Sequence, residues 1–151
     1  MLHTIGYEQA ELADFINTLV ISKIDILVDV RDRAQSRKRG FSKTALSEAL
    51  HNAGISYLHL KQLGDPKEGR NAARSGNWKK FDKIYTAVLK TEIAQSAIKE
   101  IIDLSKNSNA CLLCYERDHK TCHRKYISDE IDLRTSTKTK HLGVVKRRLA
   151  A

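Results

Sequence analysis

The chain is poor in the residues that staple or anchor a protein: it holds three cysteines, one proline and one tryptophan in 151 residues. An odd cysteine count, with Cys111 and Cys114 three positions apart, suits reduced thiols in a cytoplasm better than a disulfide framework. No apolar run approaches the roughly 20 residues that a membrane span needs, so no membrane partner is expected. The first residues, Met1-Leu-His-Thr-Ile-Gly6, lack a basic region followed by a long apolar core. A secretory signal is therefore not expected, and a cytoplasmic location is. Internal repeats and low-complexity tracts are absent as well.

What is present describes one ordinary globular domain, with 41% hydrophobic and 30% charged residues. The net charge is +9, and its distribution is uneven. Four segments, Arg31–Lys43, Lys61–Lys80, Arg117–Lys125 and Arg134–Ala151, together carry +18, which leaves −9 for the rest of the chain. Such segregation favours a nucleic acid or a phosphate-bearing ligand over charge that merely keeps the protein soluble.

Leu2–Ile5 reads as a first strand closed by Gly6. Leu12, Phe15, Ile16, Leu19 and Val20 then recur at helical spacing. Ile24–Val30 is a branched, apolar run without a surface face, the pattern of a central parallel strand covered on both sides. A basic loop leads to Ser42, a plausible N-cap for a helix to about Ala53, with Gly54 just past its end. Ile55–Leu60 is a third strand, followed by a second basic loop holding Gly64, Pro66 and Gly69. Helical spacing returns from Trp78 to Lys106, with a bend near Thr91. Ala110–Tyr115 is a fourth strand, and a last helix is expected from Cys122 to Leu133. Strands alternating with helices predict a three-layer α/β sandwich around a small, mainly parallel sheet of about four strands. Residues 1–134 form that domain, and 135–151 read as a basic extension: an arm, an edge strand or an added helix. The oligomeric state is not legible.

In an open α/β sheet, ligands sit beyond the carboxyl ends of the strands. Tyr7, Arg31, the Gly64 loop and Glu116–Arg124 all fall there. Cys111, Cys114, Cys122 and His123 suggest zinc by type, but residues three apart on a strand face opposite sides. Cys111 is thus a core residue. A site of Cys114, Glu116, Cys122 and His123 is the remaining metal arrangement, set against the favoured reading of Cys114 as a plain buried cysteine, so no metal or other cofactor is assigned. Cys122 at a helix N-terminus, beside Lys120, Arg124 and Lys125, has the surroundings of a nucleophilic thiolate. His123 is its candidate acid or base and Glu116 an orienting carboxylate. Arg31, Arg37 and Arg124, with Tyr7, are the candidate phosphate or nucleic-acid contacts. Ser36 and Ser42 have no evident base and read as loop and cap residues. Scattered aromatics (Tyr57, Trp78, Tyr115) are packing residues unless exposed, when they can stack on bases.

Thr4-Ile-Gly-Tyr7, Val28-Asp-Val-Arg31, Ser36-Arg37 with Phe41-Ser42, Gly54-Ile-Ser-Tyr57, Leu63-Gly64 and Leu112-Leu-Cys-Tyr-Glu116 with Cys122-His-Arg124 occur in order. Together they resemble the bacterial and archaeal domain-of-unknown-function family numbered 488, over roughly Leu2 to Ile131. The resemblance implies a small α/β domain and singles out Tyr7, Arg31, Cys114, Glu116, Cys122, His123 and Arg124 as motif positions, without supplying a reaction. Ala34 stands where many members have proline, and Asp65 where a second glycine is common. The resulting expectation is a binder of nucleic acid or a phosphorylated nucleotide in a basic cleft, whether or not it catalyses a reaction. The alternatives are a small-molecule enzyme with a Cys122 nucleophile, or a non-catalytic interaction or metal-binding module.

Overall fold

The computed structural model describes residues 1–147. Five parallel strands, β1 (Leu2–Gly6), β2 (Ile26–Asp29), β3 (Ser56–His59), β4 (Ala110–Cys114) and β5 (Lys140–Leu142), form one sheet in the order β3-β2-β4-β1-β5. Six α-helices cover it: α1 (Leu12–Ile21), α2 (Lys43–Asn52), α3 (Lys67–Arg74), α4 (Trp78–Leu89), α5 (Glu92–Asn107) and α6 (Arg124–Thr135). The three-layer α/β reading holds, with a fifth strand added at one edge.

The strand faces divide the core in two. Leu27, Cys111 and Leu113 pack with Phe15 and Leu19 of α1 and Leu46 and Leu50 of α2. Val28, Leu112 and Cys114 pack with Tyr85, Ile98, Ile101, Ile127 and Ile131 from α4, α5 and α6. Alternation along β4 therefore sends Cys111 and Cys114 to opposite layers, as strand geometry requires.

Strand order explains which helices share a layer. The steps β1→β2→β3 move toward one edge of the sheet, and β3→β4 and β4→β5 move toward the other. Right-handed crossovers running in opposite directions must place their helices on opposite faces. The loops leaving β2 and β4, which are neighbours, consequently diverge and leave a crevice between them.

Local signals account for most boundaries. Thr91 separates α4 from α5, its hydroxyl accepting the Ala94 N–H at 3.3 Å. Ser42 precedes α2 without capping it by its side chain, because its hydroxyl bonds the backbone of Ser36. Two expectations are corrected. The second basic loop contains α3, which starts after Pro66 and buries only Gly69 and Ala72, too little to print an apolar stripe on the sequence. The last helix begins at Arg124, two residues later than expected, because His119–Thr121 forms a short 3₁₀ turn that ends at Cys122. Of the three forms left open for the 135–151 extension, its described part takes the edge strand. Lys140–Leu142 pairs with β1, and Arg147 bonds Asp14 of α1 through its backbone N–H at 3.0 Å and its side chain at 2.9 Å. Of that basic segment, residues 148–151 lie outside the described residues. Among the described residues no helix is long and apolar enough to cross a membrane.

Candidate functional site

The crevice between the β2 and β4 loops is a cleft of about 530 Å³. Arg31, Asp32, Arg33 and Gln35 line it from the β2 side. Cys114, Tyr115, Glu116, Thr121, Cys122 and His123 line it from the β4 side. Asp65, Arg70, Ala73, Arg74, Trp78 and Phe81, from α3, α4 and the segment before them, close the third wall, and Tyr7 completes it.

The β4 wall carries the reactive groups. Cys114 ends β4, and Cys122 ends the 3₁₀ turn that follows. Their sulfurs are bonded to one another, with Cα atoms 7.4 Å apart. The expectation of reduced thiols, with Cys114 an inert core residue, is corrected here: the loop folds back and brings both sulfurs to one point. Cys111 alone is free, and burial pushes its thiol pKa far up, so it is inert. His123 is buried, with Nε2 2.7 Å from the carbonyl oxygen of Val30. A carbonyl only accepts, so Nε2 carries the proton and Nδ1 presents its lone pair toward Cys122 Sγ, 3.7 Å away. Burial lowers the His123 pKa to about 4, which keeps the ring neutral. Glu116 Oε2 lies 3.5 Å from Cys114 Sγ, and burial raises the Glu116 pKa. The backbone N–H of Arg124 points at Cys122 Sγ at 3.5 Å and its Nη1 at Cys114 Sγ at 3.1 Å. On reduction, therefore, the two sulfurs sit beside a neutral imidazole and two N–H donors, surroundings that stabilise thiolate.

The arginines chosen from the sequence are spent inside the protein. Arg31 is 6% exposed. Its Nε and Nη2 hold the buried Asp29 at 2.9 and 2.7 Å, and Nη1 donates to the Phe41 carbonyl at 2.7 Å and to Tyr7 Oη at 3.2 Å. Arg124 is 1% exposed and donates to Thr4 Oγ1 and to the carbonyls of Glu116 and Arg117. Neither has a free fork for a phosphate; both are struts that pin the cleft loops to the sheet. Arg37 is exposed but lies outside the cleft lining. Tyr7 is buried, stacked on Phe41 at 4.6 Å and edge-on to Tyr115 at 5.3 Å.

The family model described as domain of unknown function DUF488 matches residues 11–131. The chain belongs to the DUF488 family. Comparison with curated proteins finds no match, and comparison with solved structures finds none. The match spans the β2 and β4 loops, α3 and the whole sulfur cluster, and leaves Tyr7 and β5 outside.

Several cleft residues of this DUF488 chain escaped the sequence reading. Arg33 and Arg74 are exposed, and Arg70 is half-buried and paired with Asp32 at 2.9 Å. The rings of Trp78 and Tyr115 are 45% and 48% exposed, so both are available to a ligand. Asp65 is buried, and its Oδ1 has no hydrogen-bond partner. Burial lifts its pKa to about 7, and nearby Glu116 and Asp32 add to the effect against an opposing pull from Arg70. Asp65, Arg70 and Arg74 lie in or just before α3, whose buried face is only Gly69 and Ala72, while Arg33 lies in the loop after β2. The sequence had marked Trp78 and Tyr115 as rings able to stack on bases if exposed, and Asp65 by its departure from glycine.

Proposed function

We propose that this protein binds a phosphate-bearing small molecule of nucleotide size in the switch-point cleft and presents it to the Cys114–Cys122 pair. One observation carries the reading. Exposed guanidinium groups from two different walls, Arg33 and Arg74, flank a concave site that also offers the half-exposed rings of Trp78 and Tyr115. Guanidinium forks suit phosphate oxygens, and exposed rings suit a base. A volume of about 530 Å³ is that of a small-molecule pocket, which favours a mononucleotide over a long polymer. The phosphate contacts thus move from Arg31 and Arg124 to Arg33, Arg74 and Arg70. Catalysis, where it occurs, falls to Cys122 with His123 and Glu116 beside it.

Trp78 is the sole tryptophan, so intrinsic fluorescence reports on the cleft directly. Titration with nucleoside mono- and diphosphates should quench or shift it. Arg33→Ala and Arg74→Ala should each weaken binding by roughly 10- to 100-fold, the worth of a charge-assisted hydrogen bond of about 1.5–3 kcal/mol. Unchanged fluorescence with every nucleotide, or binding indifferent to both substitutions, overturns the reading. Single-stranded oligonucleotides that bind more tightly than any mononucleotide would transfer the site to a polynucleotide.

A further inference from the structure

We propose that, in the reduced protein, Cys114, Cys122 and His123 bind one zinc-class divalent ion in the wall of the cleft, with Glu116 in reach of the fourth position. This does not depend on the ligand proposed for the cleft. The donor atoms Sγ of Cys114, Sγ of Cys122 and Nδ1 of His123 already lie within 4.8 Å of one another. Zinc–sulfur and zinc–nitrogen bonds of about 2.3 and 2.05 Å at a tetrahedral angle require a sulfur-to-nitrogen edge of about 3.6 Å. The Cys122–His123 edge is 3.7 Å. A sulfur-to-carboxylate edge comes out at about 3.5 Å by the same geometry. The Cys114–Glu116 edge is 3.5 Å.

Three further features point to a metal rather than to an incidental cluster. Adjacent residues in one helix cannot converge on an ion, but Cys122 is extended, with φ −136° and ψ 149°, and lies outside α6. The Val30 carbonyl fixes His123 as the tautomer whose Nδ1 is free, the arrangement usual for a metal-bound histidine. The sulfurs also receive the two Arg124 N–H contacts, which offset the charge of two thiolates. The Cα atoms of Cys114 and Cys122 stand 7.4 Å apart. Disulfides usually span about 4.4–6.8 Å, whereas two thiolates on one tetrahedral ion need sulfurs about 3.8 Å apart. The sulfurs are bonded to one another here, so that separation is reached only on reduction. All four donor residues line the cleft, so an ion has an entry path.

The test uses the full chain, reduced, stripped with a chelator and returned to Co²⁺. One equivalent should produce thiolate-to-cobalt charge-transfer absorption and tetrahedral ligand-field bands, and Zn²⁺ should abolish both by displacement. Cys114→Ser and Cys122→Ser should each weaken binding by more than about 100-fold, beyond what loss of an outer partner costs. Cys111→Ala, altered on the opposite face of the sheet, should bind as the parent does. Glu116→Gln should shift the ligand-field bands. If the serine variants do not fold, the unaltered chain still decides. Zn²⁺ should shield Cys114 and Cys122 from alkylation, and mapping of the modified cysteines reads this out. Absence of charge-transfer absorption with both thiols free, or alkylation unaffected by Zn²⁺, overturns the proposal.

Discussion

Asp65→Asn is the perturbation with the clearest magnitude. The Asp65 carboxyl is 6% exposed, and its Oδ1 has no partner. That oxygen lies where a Gly69 side chain would start, so a larger residue at position 69 would have to displace the Asp65 carboxyl. Burial disfavours the charged form and holds the pKa at about 7, against about 3.9 in an unfolded chain. The folded state therefore binds this proton more tightly than the unfolded state. Its stabilising contribution is complete below about pH 4 and is lost as pH rises toward about 7. Three pKa units correspond to about 4 kcal/mol, and access of cleft water to one side of the group reduces this to roughly 2–4 kcal/mol. Asparagine does not ionise, so the variant's stability relative to the parent should grow by about that much as pH rises from about 4 to about 7, and stay level above it. Urea midpoints for both proteins at several pH values measure the difference. A difference that stays flat with pH would refute the burial argument, whatever its absolute size.

Other substitutions test the remaining assignments. Arg31→Ala leaves Asp29 buried and supported mainly by the Tyr57 hydroxyl at 2.5 Å, so stability should fall by about 3–5 kcal/mol in urea titrations. Nucleotide affinity of the folded fraction should stay close to that of the parent; a selective loss of affinity would return Arg31 to the ligand. Gly6→Ala places a Cβ against the Glu116 carbonyl and the Arg124 guanidinium, and should yield little folded protein by circular dichroism. Arg147→Ala removes the side-chain bond from a half-exposed arginine to Asp14 but keeps the backbone one, and should change stability little, whereas deleting residues 140–151 bares the β1 edge and should produce self-association in analytical ultracentrifugation.

The parts of this molecule that were legible in the sequence are those where a period or a cap prints itself on residue types. β2 and β4 announce themselves as unbroken apolar runs because both their faces are covered. The α4–α5 boundary was readable at Thr91 because a hydroxyl caps the second helix. By contrast, α3 carries arginine, lysine and glutamate around two small buried positions, and no hydrophobic stripe distinguishes it from a loop. The tail was ambiguous for a related reason. A three-residue edge strand buried on neither face has no alternation to show. The meeting of Cys114 with Cys122 depends on how a seven-residue loop closes, which local pattern does not determine.

Basic residues in this sequence do two physically opposed jobs. A guanidinium just past a central strand, such as Arg31, faces a buried carboxylate, a backbone carbonyl and a tyrosine hydroxyl before it faces solvent, and four of its five donors are taken there. Counting charge along the chain places Arg31 and Arg124 among the ligand contacts, because the count cannot see that they are satisfied. Arg33 is two positions further on, and Arg74 is at the end of α3; these reach the cleft from the surface and keep their forks free of the sheet. The inner arginines fix the loops, so that the outer ones and the sulfur cluster face the same cavity. Removing an inner arginine should therefore act through stability, and removing an outer one through affinity. That split separates a structural basic loop from a binding one more sharply than net charge does.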